Sequence, residues 1–189
     1  MKQVDCIITA AGLSSRMGQW KMMLPWRETT ILDASIKNAL QFCSRIILVS
    51  GFRAEELHQR YSAHPQITLV YNPNYQQGLF TSVCAGASQV RNNFCFITLG
   101  DLPCLPPALF QRLWQQRGDR ALLPQYQGVP GHPILITGTQ LRQLITYDGP
   151  DSMRKRLLQS RHRCLELDFP QMVWDIDTPA DFIRLQNQY

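Results

Sequence analysis

Short apolar runs alternate along the first half of the chain with segments whose apolar residues recur at helical spacing. Four runs rich in β-branched residues predict strands, at 4–10, 45–50, 67–71 and 94–99. Three segments between them predict helices, at 31–43, 54–61 and 80–90. Because strands that alternate with helices form parallel sheets, the pattern predicts a parallel sheet with helices on both faces.

The second half of the chain is more broken. Its pattern predicts a helix over 106–116 and strands over 121–123 and 133–136. Two short helices, a third strand over 164–167 and a closing helix over 179–188 follow. We therefore predict one three-layer α/β domain of Rossmann type over residues 1–189, mostly parallel, with an antiparallel strand added in the second half. Ligands bind such sheets at the carboxyl ends of the strands. Three loops that follow predicted strands are therefore candidates, at 9–21, 100–104 and 175–178.

Composition narrows the class of protein. Apolar residues make up 44% and charged residues 17%, which is typical of a globular chain with a substantial core. The net charge of +5 suits an anionic small molecule as well as RNA or a membrane surface. No strand combines aromatic and basic residues, so an RNA-binding module is disfavoured. The six cysteines have no C-x-x-C or zinc spacing, and no run is long enough to span a membrane. We expect a reducing cytoplasm, with neither nucleic acid nor membrane as a partner.

The loop over 9–21, TAAGLSSRMGQWK, combines small residues with two cations. It lacks the spacing of a P-loop and of G-x-G-x-x-G. Small residues still let backbone N–H groups approach phosphate oxygens, while Arg16 forks onto two oxygens and Lys21 supplies a point charge. The alternative is a structural loop whose cations face water, and we expect both cations to be exposed. The candidate nucleotide-binding residues in this loop are Ala10, Ala11, Gly12, Ser14 and Ser15.

The other two loops supply carboxylates. Asp101 follows the run 94–99 and is either a turn residue bonded to its own backbone or a ligand for Mg²⁺, which proteins hold with one or two carboxylates plus substrate phosphates. Asp175 and Asp177 are two residues apart and point to the same side of an extended chain. Thr178 before Pro179 is a natural N-cap for the closing helix. Because Thr178 fills the capping role, capping does not explain the presence of a carboxylate at Asp177.

Two further stretches are candidates for binding. Gly78, Thr81 and Ser82 lead into a predicted helix, whose amides and hydroxyls either hold phosphate or the nucleotide sugar or only cap the helix. His132 lies between a glycine and a proline and either fills a turn or acts as a general base.

The string A-A-G-x-S-x-R-M-G-x-x-K after a first strand resembles the signature of the nucleotidyltransferases that make molybdenum cofactor dinucleotides, and is closest to their cytidylyltransferase branch. Four shorter stretches follow in the family's order, namely GLFTS at 78–82, GDLP at 100–103, GHP at 131–133 and DIDTP at 175–179. The resemblance therefore covers nearly the whole chain.

This resemblance implies a Mg²⁺-dependent transfer of CMP from CTP to the terminal phosphate of molybdopterin, with release of pyrophosphate. It assigns catalysis to Arg16, Lys21 and Asp101, the metal to Asp101 and Asp177, and the acceptor side to His132, with Asp175 the weaker metal candidate. An apo-molybdoenzyme is a further implied partner. The alternatives are a related transferase with another base or acceptor, of the guanylyl or sugar-phosphate type, and a non-catalytic chaperone that binds the cofactor.

Base choice follows from the same loop. Residues 10–12 are Ala-Ala-Gly, where the guanylyl branch of the resembled family has an extra glycine. An added methyl group narrows the space beside the backbone that reads the base, and a purine needs more of that space than a pyrimidine. We therefore expect CTP to be preferred to GTP or ATP by at least about tenfold in kcat/KM.

Overall fold

The computed structural model describes residues 2–146 and 152–189. Its first half contains nine elements: β1 (Lys2–Thr9), β2 (Pro25–Trp26), β3 (Thr29–Thr30), α1 (Ile31–Leu40), β4 (Cys43–Ser50), α2 (Ala54–Tyr61), β5 (Ile67–Tyr71), α3 (Leu79–Ala87) and β6 (Phe94–Leu99). The rest adds α4 (Pro107–Gln115), β7 (Ala121–Tyr126), β8 (Val129–Pro130), β9 (Ile134–Thr137), α5 (Gly138–Thr146), α6 (Met153–Gln159), β10 (His162–Glu166) and α7 (Pro179–Gln188).

One mixed sheet organises these elements. Its strand order is β10-β7-β9-β6-β1-β4-β5, and β8 forms a hairpin with β7. Only β9 runs antiparallel to both of its neighbours along this path, while the other pairings are parallel. The prediction of a mostly parallel α/β sheet with an antiparallel strand in the second half is confirmed. Because β9 is reversed, the segment that precedes it lies at the edge where β6 and β7 end.

Helices cover both faces of the sheet and give three layers. Along β1, Cys6 and Ile8 pack into one apolar cluster with α1, α2 and α4, whereas Ile7 packs into another with α3, α5 and α6. This alternation is what a strand buried on both faces requires. No helix within residues 2–146 and 152–189 has the length and apolar character that crossing a bilayer needs.

Several predicted boundaries were wrong by two or three residues, and β7, for example, runs to Tyr126 instead of ending at residue 123. The helix predicted over 31–43 ends at Leu40, because Cys43 already pairs with Lys2 in the sheet. Its apolar periodicity continued to residue 43 because Cys43 is buried as part of the strand. Helix α3 ends at Ala87 rather than at residue 90, and β10 begins two residues earlier than predicted, at His162.

A buried ion pair ties the central strands together. Asp5 on β1 is fully buried, and its carboxylate accepts hydrogen bonds from Arg45 Nε at 2.9 Å and from the backbone N–H groups of Arg91 and Asn92 at 2.8 and 3.1 Å. Burial opposes ionisation, but Arg45 and these N–H groups outweigh it and hold the pKa of Asp5 below its usual range. The carboxylate therefore links β1 to β4 and to the turn before β6.

Candidate functional site

The loop after β1 is folded back on itself by Ser14. This residue has a φ of 57°, and its Oγ accepts a hydrogen bond from the backbone N–H of Lys21 at 3.2 Å. The short turn Ser15–Met17 between them ends at Gly18, whose φ of 72° favours glycine. The role of Ser14 is therefore to shape the loop and to bring Lys21 back to the carboxyl edge of the sheet.

Lys21 lies at the meeting point of three distant segments. Its Nζ is 2.5 Å from Asp101 Oδ2 and 2.9 Å from Asp177 Oδ1, and it donates to the backbone carbonyl of Ile176 at 2.8 Å. The backbone N–H of Ile176 in turn donates to the carbonyl of Asp101 at 3.1 Å. Lys21 is only 8% exposed, so the prediction that it is an exposed loop cation was wrong. Two carboxylates compensate the cost of burying its charge.

Arg16 behaves as predicted for an exposed cation. Its side chain is 69% exposed, and its Nη2 lies 2.7 Å from Asp177 Oδ2. Asp177 therefore contacts both cations of the loop, one buried and one at the surface. The guanidinium can leave this partner for a phosphate at small cost because exposed ion pairs contribute little free energy.

The charges of Lys21 and Asp177 are stable at neutral pH. Burial disfavours the ammonium of Lys21, but Asp101 and Asp177 outweigh that effect and raise its pKa. Burial likewise opposes ionisation of Asp177, yet Lys21 lowers the pKa of this carboxyl below its usual range. Asp175 differs, because burial and the neighbouring Asp177 carboxylate raise its pKa to about 6. The structure thus brings Asp175 beside Asp177 but gives Lys21 no contact with it among the described residues.

One carboxylate oxygen in this cluster has no partner. Asp101 Oδ1 is buried and makes no hydrogen bond, whereas Oδ2 of the same group contacts Lys21. A buried carboxylate oxygen without a donor needs a ligand. Within the part of the chain that the structure describes, no three acidic, histidine or cysteine side chains form a metal cluster. Two carboxylates that are completed by substrate phosphates nevertheless suit Mg²⁺, so Asp101 and Asp177 fit a cation held jointly with a ligand.

The N-cap of α7 is formed by Thr178 and not by the neighbouring Asp177. Thr178 Oγ1 accepts from the backbone N–H of Asp181 at 3.2 Å, and the Asp181 carboxylate accepts from the backbone N–H of Thr178 at 3.0 Å. This capping box confirms the prediction for Thr178. It also leaves Asp177 free to face the two cations.

A cleft of about 340 Å³ contains this cluster. Its lining combines the charged residues with most of the predicted nucleotide-binding residues and with Tyr75: Ala11, Gly12, Ser14, Ser15, Arg16, Lys21, Gly78, Ser82, Asp101 and Asp177. Two predicted residues are not part of it. Ala10 is 1% exposed and packs in the core, where its N–H donates to the Val49 carbonyl. Thr81 directs its hydroxyl to the carbonyl of Gly78 at 2.9 Å. Neither side chain lines this cleft, and the nucleotide-binding role of Ala10 and Thr81 stays a prediction.

Sequence analysis missed Asn72, which holds this side of the cleft together. Asn72 directly follows β5 and is 2% exposed. Its Nδ2 donates to Thr81 Oγ1 at 2.9 Å and to Ser82 Oγ at 3.0 Å. A polar residue at the carboxyl end of a predicted strand was the signal that could have identified it.

His132 lies in an adjoining groove. Its backbone N–H donates to the carbonyl of Met172 at 3.0 Å, and its Nδ1 is 3.3 Å from the carbonyl of Ile97. Burial of the ring lowers the pKa of His132, so the imidazole is neutral at pH 7. The groove measures about 230 Å³ and shares Leu79 with the first cleft. The groove and the cleft therefore adjoin at Leu79.

Comparisons with known proteins agree with this architecture. The family model described as the MobA-like NTP transferase domain matches residues 6–164. The chain is 53% identical to the molybdenum cofactor cytidylyltransferase of Escherichia coli K12 over 189 residues, which is 100% of this chain and 98% of that protein.

Solved structures give the same fold. A nucleotidyl transferase from Methanothermobacter thermautotrophicus superposes with a TM-score of 0.85 at 21% identity, over 100% of this chain and 98% of that one. A protein from Mycobacterium tuberculosis H37Rv, solved in complex with manganese, superposes with a TM-score of 0.75 at 25% identity, over 100% of both chains.

Proposed function

The chain belongs to the MobA-like NTP transferase family, and from this premise we propose that it transfers CMP from CTP to the terminal phosphate of molybdopterin and releases pyrophosphate. The observation that carries the proposal is the cleft in which the Lys21 ammonium meets the carboxylates of Asp101 and Asp177. Such a cleft can hold the triphosphate of a nucleotide and the cation that accompanies it.

The two cations have different tasks in this proposal. Arg16 is exposed and bound only to Asp177 among the contacts described, so it is free to turn onto the triphosphate and bind two oxygens at once. Lys21 is fixed by two carboxylates and a carbonyl and offers a charge whose position is set before the nucleotide arrives. Preorganised charge of this kind stabilises the negative charge that develops during transfer.

Asp101 and Asp177 are the residues that would hold Mg²⁺. The unpartnered Oδ1 of Asp101 supports this assignment, as does the exposure of Asp177 to the cleft. Bound there, the cation supplies positive charge to the phosphate oxygens and to the leaving pyrophosphate. Asp175 is the weaker candidate because its raised pKa leaves it partly protonated near pH 6.

The transfer itself needs no covalent help from the protein. A phosphate oxygen of molybdopterin forms a bond to the α-phosphorus of CTP, and the bond from that phosphorus to the pyrophosphate oxygen breaks. The protein contributes alignment and charge stabilisation. Loss of one such electrostatic contact costs on the order of 10²–10³ in rate.

The remaining predicted residues take places on either side of the reacting phosphates. Ala11, Gly12 and Ser82 line the nucleotide cleft, whereas His132 lines the adjoining groove, which we assign to the acceptor. We further propose an apo-molybdoenzyme as the protein that receives the product. All six cysteines are free, which supports the reducing cytoplasm that the sequence predicted.

Product analysis tests this function. The purified protein is incubated with molybdopterin, Mg²⁺ and each of the four nucleoside triphosphates in turn, and dinucleotides are identified by mass spectrometry while pyrophosphate is measured. We expect molybdopterin cytosine dinucleotide with an equal amount of pyrophosphate, formed about 10²–10³ times more slowly by Asp101→Asn. A guanine product would favour the guanylyl alternative, and bound pterin without pyrophosphate release would favour a chaperone.

A further inference from the structure

The side-chain amide of Asn72 has a defined orientation. Its Oδ1 accepts a hydrogen bond from the backbone N–H of Asn74 at 2.9 Å. A backbone N–H can only donate, so this contact identifies the oxygen end of the amide. The backbone N–H of Asn72 donates to the carbonyl of Ser50 at 2.9 Å, which fixes the residue to the end of β4. The NH₂ group therefore faces the start of α3.

Both hydrogens of this NH₂ group are used. They are donated to Thr81 Oγ1 at 2.9 Å and to Ser82 Oγ at 3.0 Å, so both hydroxyl oxygens act as acceptors. Thr81 then gives its own proton to the carbonyl of Gly78 or of Asn74, at 2.9 and 3.0 Å. The Ser82 hydroxyl makes no other hydrogen bond among the residues that the structure describes. Its proton is left for a ligand.

Ser82 lies deep in the nucleotide cleft. It is 3% exposed, and it lines the cleft together with Ala11 and Gly12. A buried hydroxyl proton requires an acceptor. The group that reaches this depth must leave most of its water behind, which suits a flat heterocyclic base better than a sugar or a phosphate.

The strand order places Ser82 away from the phosphates. Asp101 follows β6, whereas α3 packs over β1 and β4, with Gly86 against Ile7 and Val49. Strands β6 and β4 are separated by two interstrand spacings, which is about 10 Å. A nucleoside triphosphate whose phosphates lie at Asp101 therefore extends its base toward α3.

We propose that Asn72 is a positioning residue, which holds the Ser82 hydroxyl so that it donates its proton to the nucleotide base. The proposal rests on the proposed function, since it takes CTP as the ligand. Cytosine offers N3 and O2 as adjacent acceptors on one edge, and either satisfies the Ser82 proton. Asn72 itself does not touch the nucleotide.

Reversing the polarity of residue 72 tests the proposal. In Asn72→Asp, a carboxylate still accepts from Asn74 but takes the Ser82 proton for itself, which leaves only oxygen lone pairs toward the base. We expect the Kd for CTP, measured by calorimetry, to rise at least about tenfold, because a hydrogen bond to the base is lost. The Kd for inorganic tripolyphosphate, which has no base, should stay within about twofold of the parent.

A double-variant cycle separates positioning from simple structural damage. Ser82→Ala removes the proton, so adding Asn72→Asp to Ser82→Ala should not weaken CTP binding further. If Asn72→Asp does not fold, Asn72→Ala replaces it in the test. This variant removes the amide that holds the Ser82 hydroxyl but adds no acceptor for its proton, and it should weaken CTP binding but not tripolyphosphate binding.

Three results would overturn the proposal. The first is unchanged CTP binding by Asn72→Asp, or by Asn72→Ala where Asn72→Asp does not fold. The second is an equal loss of CTP and tripolyphosphate binding, and the third is an additive effect of Asn72→Asp and Ser82→Ala on CTP binding. These measurements record binding alone. A parent protein that binds CTP but forms no dinucleotide would contradict the proposed function and leave the role of Asn72 standing.

Discussion

The ammonium of Lys21 lies 2.5 Å from a carboxylate oxygen of Asp101, and both groups are buried. Replacing Lys21 by methionine keeps most of the length of the side chain, removes the ammonium, and leaves Asp101 and Asp177 without their shared cation. We expect a loss of about 3 kcal/mol in the free energy of unfolding, because an uncompensated buried charge remains, together with a strong loss of activity. Urea denaturation without added metal measures the first, and pyrophosphate release the second.

Arg16→Met is the matched control for this substitution. The Arg16 side chain is 69% exposed, so its removal should change the free energy of unfolding by less than about 1 kcal/mol while activity still falls strongly. Equal stability of the Lys21→Met variant and the parent would show that the buried ion pair contributes nothing to the fold.

The metal-binding assignment predicts a graded series. Asp101→Asn should reduce the rate by about 10²–10³, and Asp177→Asn should come close, whereas Asp175→Asn should be milder. The first two should also raise the Mg²⁺ concentration that gives half-maximal activity, which a Mg²⁺ titration of the rate measures. Small and equal effects from all three would mean that these carboxylates serve only turns and caps.

Part of this charged cluster could be predicted from the sequence and part could not. The loop after the first strand and Asp101 after β6 were predictable, because polar residues that follow strands gather at one edge of a parallel sheet. Asp177 instead follows a short 3₁₀ turn over Pro170–Val173, so this rule does not account for it. The burial of Lys21 was not predictable, because its partner Asp177 is 156 residues away along the chain. Exposure depends on such distant contacts, which local composition does not contain.

Base selectivity should depend on Ala11 and not on Ala10. Ala11 lines the cleft, so Ala11→Gly should narrow the preference for CTP over GTP in kcat/KM, which we expect to be at least about tenfold in the parent. Ala10→Gly is the control, because that methyl group packs in the core and its loss should lower the melting temperature without changing selectivity. Equal use of CTP and GTP by the parent would overturn the cytidylyl assignment.

Acid stability should depend on Asp5. Its pKa is lowered in the folded protein, so its contribution is fully present above the ordinary pKa of 3.8 and is lost as the pH falls through the folded value. Asp5→Asn should therefore be less stable than the parent at pH 7, by about 3 kcal/mol. The gap should narrow in urea denaturation as the pH falls below the ordinary pKa of 3.8.

Asp119→Asn provides the comparison for Asp5. Asp119 pairs with Arg161, but both side chains are about two-thirds exposed, so the substitution should leave the acid profile close to that of the parent. A gap between parent and Asp5→Asn that stays constant with pH would contradict a titrating contribution from Asp5.

The acceptor groove gives a prediction about His132. Since its ring lines the groove and not the nucleotide cleft, His132→Ala should raise the KM for molybdopterin by about tenfold and leave the KM for CTP unchanged. Steady-state kinetics with each substrate varied in turn makes the comparison. A fall in kcat with both KM values unchanged would instead indicate general-base catalysis.

Asn72 shows why part of the nucleotide site was missed. In the sequence it begins the stretch Asn-Pro-Asn, which is typical of a turn, and nothing local indicates that its side chain is buried. Its importance comes from α3, which the chain brings back over β1 and β4 so that Thr81 and Ser82 meet the amide. The sequence predicted that the start of α3 contributes to the site, and the packing of α3 determines that Ser82 and not Thr81 lines the cleft.

The backbone of Ile176 donates to the loop after β6 and accepts from the loop after β1, so the site is closed by a segment made late in translation. A ribosome that has synthesised residues 1–101 has made the cationic loop and Asp101 but not yet Asp177. The nascent chain consequently lacks one of its two carboxylates until residue 177 has been added. On the role proposed for Asp177, a nascent chain that ends before residue 177 cannot form the cation site and is inactive.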